Sequence, residues 1–113
     1  MGKTKVTFNV ERLQYSADVL YALAHPLRLR ILEFIDQNER INVNQIYRSL
    51  HIEQSITSQH LRILRLAGIV QAEKEGKYMH YSIHYDTLRR TETAINGFMK
   101  TERVRESAAA VAE

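Results

Sequence analysis

The chain has 113 residues, with one proline, four glycines and no cysteine. That length suits one domain, residues 1–113, with a modest core that a partner subunit would enlarge. The lack of cysteine excludes disulfides, Cys-ligated zinc, iron–sulfur clusters and thiol redox chemistry, and 44% hydrophobic against 26% charged residues excludes a disordered chain.

In chain order, the N-terminal segment has no apolar stretch of the signal-peptide kind, and no run approaches the ~18 apolar residues of a membrane span. The cytoplasm is the expected compartment, with no membrane partner. About eight residues at each end are expected to fray. Asn9 is placed to cap a first helix, Asn9–Ala24, in which Leu13, Ala17, Leu20 and Ala24 recur at helical spacing, widened by Val10 and Val19. Pro26 opens a second helix, to about Gln37, that buries Leu27, Ile31, Phe34 and Ile35 and exposes Arg28 and Arg30. His25 reads as a cap or packing residue.

Asn38–Arg40 breaks the pattern, and Ile41–Val43 suits a short strand. Asn42 with Gln45 forms a capping box for a third helix, with Ile46 and Leu50 inward. After a turn at His51–Gln54, a fourth helix over Ser55–Ala67 turns Ile56, Leu61 and Leu64 to the core and stops at Gly68. The period then changes to two: Ile69–Lys74 and Lys77–His84 flank a hairpin turn at Glu75-Gly76. Asp86 caps a last helix with Leu88, Ile95, Phe98 and Met99 on its apolar side.

This order, α-α-(β)-α-α-β-β-α, is mainly helical with a β-hairpin wing, an α+β winged helix-turn-helix. Leu13, Leu20, Leu88, Ile95 and Phe98 are left over once the central helices pack. Pairing the first and last helices with a second copy is the economical use of them, giving a homodimer. The net charge of +3 is weak, but its distribution is informative. From Gln54 to Ala72 there is no acid, while His60, Arg62 and Arg65 fall inside.

At this point the sequence resembles the ArsR/SmtB-type bacterial repressors over roughly residues 10–100. The likeness is carried by Ala22–Leu32, by Gln54-Ser55 with Ser58, His60, Leu61 and Leu64 running into Ala67-Gly68-Ile69-Val70, and by Gly76-Lys77 and Tyr81-Ser82-Ile83. The middle motif is the most specific. The resemblance implies dimeric winged-helix repressors that bind an operator and release it when an effector binds.

The residue chemistry agrees. A recognition helix presents short polar side chains at its N-terminal end, so that the backbone approaches phosphates and base edges. Gln54, Ser55, Thr57, Ser58, Gln59 and His60 supply them. Gln59 suits an adenine edge, Thr57 a thymine methyl and Arg62 a phosphate. The competing reading is that Ser55 and Thr57 only cap the helix. Glu53 stands where many of the similar repressors have a small hydroxyl residue. The wing offers Lys74, Lys77 and Tyr78 to DNA, with Glu73 and Glu75 diluting its charge. Arg28 and Arg30 read as surface residues.

The metal sensors of the similar family use a Cys-x-Cys before the turn, or an Asp-x-His with a paired His on the last helix. Here Asn42-Val43-Asn44 and Asp86-Thr87-Leu88 stand instead, so no metal or other cofactor is expected. His80 and His84, four apart on a strand, are too separated to chelate one ion easily. The six tyrosines suit core packing better than a ligand pocket. An enzyme is not expected: there is no cysteine and no glycine-rich phosphate loop, and Ser58 and His60 do not face each other on a helix. The expected function is a DNA-binding transcriptional regulator, a repressor, reading a pseudo-palindromic double-stranded operator as a homodimer. A small-molecule or protein effector is a further partner left open. The alternative is a winged-helix module that binds protein rather than specific DNA.

Overall fold

A computed structural model describes residues 10–98. The expected caps and fraying at Asn9 and beyond, and Met99 with the C-terminal tail, lie outside the described residues. Eight elements follow in order: α1 (Val10–Leu23), α2 (Pro26–Asn38), β1 (Ile41–Asn42), α3 (Val43–Leu50), α4 (Gln54–Leu66), β2 (Val70–Glu75), β3 (Tyr78–Ile83) and α5 (Tyr85–Phe98).

Local chemistry sets the boundaries. His25 caps α2, its Nδ1 accepting from the Leu27 N–H at 3.1 Å, with Pro26 in the first turn where a missing N–H costs nothing. Asn42 and Gln45 close the expected capping box on α3, at 2.9 and 3.2 Å. His51 ends α3 in the left-handed region, φ 56. Gly68 ends α4 at φ +75. The Gly68 N–H then donates to the Arg65 carbonyl and the Ile69 N–H to the Leu64 carbonyl, both at 2.9 Å, which satisfies two carbonyls that the helix end leaves free.

The sheet runs β1-β3-β2, antiparallel throughout. Ile41 pairs with Tyr81, and the hairpin ladder runs from Val70 opposite Ile83 to Glu75 opposite Tyr78. The turn is therefore Gly76-Lys77, one residue later than the expected Glu75-Gly76. Gly76 has φ +63, while Lys77 does not adopt a positive φ. Glycine alone at the first central position fits a II′ turn, which matches strand twist and fixes the register.

The core collects Val19, Ala22, Ile31, Ile35, Ile41, Ile46, Leu61, Leu64, Ile69, Val70 and Ile83 from every element except α5, whose Leu88 packs against it. Five expectations are corrected. On α1 the buried face is Ser16, Val19 and Ala22, so Ala17, Leu20 and Ala24 are exposed. The α1–α5 pair is built on small residues, since Thr87, Thr91 and Ala94 are the buried ones on α5. On α4, Thr57 is fully buried and Ile56 is 37% exposed. Arg28 is only 5% exposed rather than a surface residue. Finally, α5 begins at Tyr85, and Asp86 sits inside its first turn, paired with Arg89 instead of capping.

Candidate nucleic-acid interface

Helix α4 divides into three faces. Thr57, Leu61 and Leu64, spaced at i, i+4 and i+7, hold it to the core. The Thr57 hydroxyl donates to the Glu53 carbonyl at 3.0 Å, so its one polar group is satisfied without water and its methyl is free to pack. Thr57 is thus a core residue, and a contact from it to a thymine methyl is ruled out by its burial. Gln54, Ser55, Ser58, Gln59, Arg62 and Arg65 are exposed, and no acid stands among them. Glu53 precedes the helix at its N-cap without a side-chain capping bond.

His60 lies on the third face and does not belong to the exposed set. It is half-buried, its ring centroid 4.7 Å from that of His25. Arg28 Nη1 lies 3.4 Å from His60 Nδ1. A guanidinium only donates, so this contact needs an unprotonated Nδ1. Burial, then His25, then Arg28 hold the His60 pKa below its ordinary 6.5.

Arg28 is the residue that the sequence reading misplaced. Its Nε donates to the Ala22 carbonyl at 2.7 Å and its Nη2 to the Tyr21 carbonyl at 3.2 Å, with the guanidinium 5.5 Å over the Tyr21 ring. These carbonyls end α1, which has no basic residue in its own last turn. Arg28 therefore supplies the cation that a helix C-terminus favours, from the next helix, and carries it on to α4 through His60. The available signal was the uncapped end of α1 just before Pro26.

On the wing, Lys74 and Lys77 are exposed and have no ion-pair partner among the described residues. Tyr78 is exposed beside them, while His80 is half-buried. The wing acids are occupied: Arg40, at the corner between α2 and β1, approaches Glu75 at 2.7 Å and Glu73 at 3.7 Å. Its hydrogen bond lowers the Glu75 pKa. His80 Nδ1 faces the same carboxylate at 3.8 Å.

Two of the five residues expected at a dimer face stand out on the α1–α5 side: Leu20 is 40% and Ile95 43% exposed. Leu88 instead packs half-buried against its own core, because it lies beside the start of α5 where that helix meets the body. The side chains of Leu13 and Phe98 lie outside the described residues. The expected core packing of the tyrosines is corrected for three of them: Tyr21, Tyr78 and Tyr85 are exposed on separate elements. At the position where similar metal sensors carry cysteines, Asn42 serves as a helix cap. Among the described residues no three metal-ligating side chains come together.

A helix with a polar, acid-free outer face, preceded by a short helix across a tight turn and followed by a β-hairpin, defines a winged helix-turn-helix protein. The family profile described as "Bacterial regulatory protein, arsR family" matches residues 25–72. The HTH-type transcriptional repressor SmtB of Mycobacterium tuberculosis is 36% identical over 73 residues, covering 65% of this chain but only 53% of that repressor. The transcriptional repressor PagR of Bacillus anthracis is 35% identical over 72 residues, covering 64% of this chain and 72% of PagR. Its crystal structure superposes with a TM-score of 0.64 at 29% identity, over 76% of this chain and 95% of that one. The homodimeric winged helix-turn-helix DNA-binding domain of Mb0332 from Mycobacterium bovis gives a TM-score of 0.66 at 28% identity, over 82% and 84% of the two chains. The chain belongs to the arsR family of bacterial regulatory proteins.

Proposed function

We propose that this protein is a DNA-binding transcriptional repressor, acting as a single-domain homodimer on a pseudo-palindromic operator. The observation that carries the reading is the outer face of α4: six exposed polar or basic residues with no acid, beside a wing whose carboxylates are held by Arg40. Ser55 and Gln59 enter the major groove, and Lys74, Lys77 and Tyr78 meet the flanking backbone or minor groove. Gln54 and Ser58 flank them toward the strand. Relatives named as repressors support the direction of control, and Mb0332, named as a homodimer, supports the assembly. The two-fold comes from α1 and α5, through Leu20 and Ile95 with Leu13 and Phe98. The protein works in the cytoplasm, without a metal at either of the sites that the metal sensors of the similar family use.

The test starts from genomic fragments captured on the purified protein, which supply the operator. Gln59→Ala is expected to weaken operator binding by ~1–3 kcal/mol and random duplex much less. Lys77→Ala is expected to weaken both alike and reduce the salt slope by about one. Binding to protein but to no duplex at low salt would replace this reading with that of an interaction module.

A further inference from the structure

Between α4 and the wing lies a groove of about 400 Å³, lined by Ser58, Arg62, Arg65, Leu66 and Tyr81. Ser58, Arg62 and Arg65 stand at i, i+4 and i+7, one stripe along α4 on the side toward β3. Neither arginine has an ion pair or hydrogen bond to another side chain among the described residues. Two unpaired cations one helical turn apart repel each other, and an anion seated between them reverses the sign of that interaction. The opposite wall is fixed: Tyr81 is half-buried against the core and held in β3 between Ile41 and Ala72.

We propose that this groove is a seat for a phosphate of the DNA backbone, held by Arg65 and Arg62 with Ser58 and the Tyr81 wall. Arg62 is already a phosphate candidate from the sequence; Arg65 and the Tyr81 wall are what the groove adds to it. The proposal rests on the DNA-binding reading above. When a recognition helix occupies a major groove and its wing the adjacent minor groove, the strand dividing the two grooves crosses between helix and wing. That is where the two guanidinium groups stand, and a guanidinium meets phosphate oxygens with two parallel N–H donors. The seat fixes the register of α4 on the duplex without reading sequence.

The experiment measures binding of the full chain to its captured operator and to a scrambled duplex, over a series of salt concentrations. Arg65→Gln is expected to reduce the slope of log affinity against log salt by about one per protomer engaged, on both duplexes. Arg65→Lys is expected to keep the slope, and Arg62→Gln provides an independent variant. A neutral methylphosphonate is then placed at each backbone position in turn. One position per half-site is expected to weaken the wild type at least threefold and leave Arg65→Gln unchanged. If both variants keep the wild-type slope and no position is silenced, the seat is overturned while the DNA reading stands. If the wild type binds no duplex, the DNA reading fails and the seat with it. If inorganic phosphate at constant ionic strength binds the wild type and not Arg65→Gln, with the duplex slope unchanged, the groove serves a free phosphoryl ligand and its assignment to DNA is overturned.

Discussion

The surroundings of His60 lower its pKa: burial of the ring first, then His25 against one side, then the Arg28 guanidinium, whose Nη1 lies 3.4 Å from Nδ1. Its pKa is lower in the folded chain than in the unfolded one, so the unfolded chain binds more protons between the two values. The contribution of His60 to stability is then fully present above about pH 6.5, the ordinary value, and is lost as pH falls toward and through the folded value. The melting temperature is expected to be lower at pH 5.5 than at pH 7.5, and the difference to shrink in His60→Gln, which keeps an acceptor oxygen for Arg28. Glu75 and Asp86 are shifted downward as well, from 4.5 and 3.8, so they titrate below this window. An equal difference in both proteins would remove His60 from the account. His60, Arg28 and Thr57 share one reason for having been misread. Each carries polar atoms with a partner in the fold, backbone carbonyls for Arg28 and Thr57 and the Arg28 guanidinium for His60, and a polar side chain satisfied that way can be buried at little cost. Spacing reveals which residues are apolar, not which polar ones have found partners.

At the scale of elements, the wing depends on a charge arrangement that spans two segments. Arg40 draws Glu75 and Glu73 toward the body and leaves Lys74 and Lys77 without competing acids nearby. All of these groups are exposed, and an exposed pair contributes only ~0–1 kcal/mol to stability. Arg40→Ala is therefore expected to move the melting temperature by no more than a few degrees, yet to weaken binding to every duplex, because two carboxylates then face the phosphates. A titration series at low and high salt checks it. The loss should fade as salt rises, and a loss that persists at high salt would mean a structural effect instead. All eight elements were legible from hydrophobic period, Pro26, Gly68 and the Asn42–Gln45 box, because these signals act within a few residues. The boundaries slipped by one at α4 and at the wing turn, and by two at α5. Glu75-Gly76 and Gly76-Lys77 both place glycine in a two-residue loop, and only the pairing of Val70 with Ile83 decides between them. The rotation of α1 was not legible at all. Val19 and Ala22 turn inward to the common core, and α1 also packs on α5, a helix some seventy residues away in sequence.

For the whole molecule, that rotation has a consequence. With Val19 and Ala22 spent on the core, Ala17 and Leu20 are left on the outside of α1, Ala24 is exposed just past its end, and Ile95 is exposed on α5. In a two-fold dimer each patch meets its own copy, so one substitution acts twice. Ile95→Glu would bury two uncompensated charges near the axis, and an unpaired buried charge costs about 3–5 kcal/mol. Even one such cost weakens association on the order of a hundredfold or more. Ile95 is 43% exposed within the chain, so the fold itself should tolerate the change. Leu20→Glu tests the α1 side in the same way. The expected outcome is a folded monomer by sedimentation at micromolar concentration, with an unchanged melting curve at low protein concentration. Operator binding then separates assembly from recognition. Two half-sites lie about one helical turn, ~34 Å, apart, and a dimer occupies both for one loss of translational freedom. The monomeric variant should bind a full operator no more tightly than a single half-site duplex, while the wild type prefers the full operator by at least tenfold. A variant that stays dimeric would move the two-fold away from α1 and α5. A monomer that still prefers the full operator would show that the two recognition helices are brought into register by the DNA rather than by the protein.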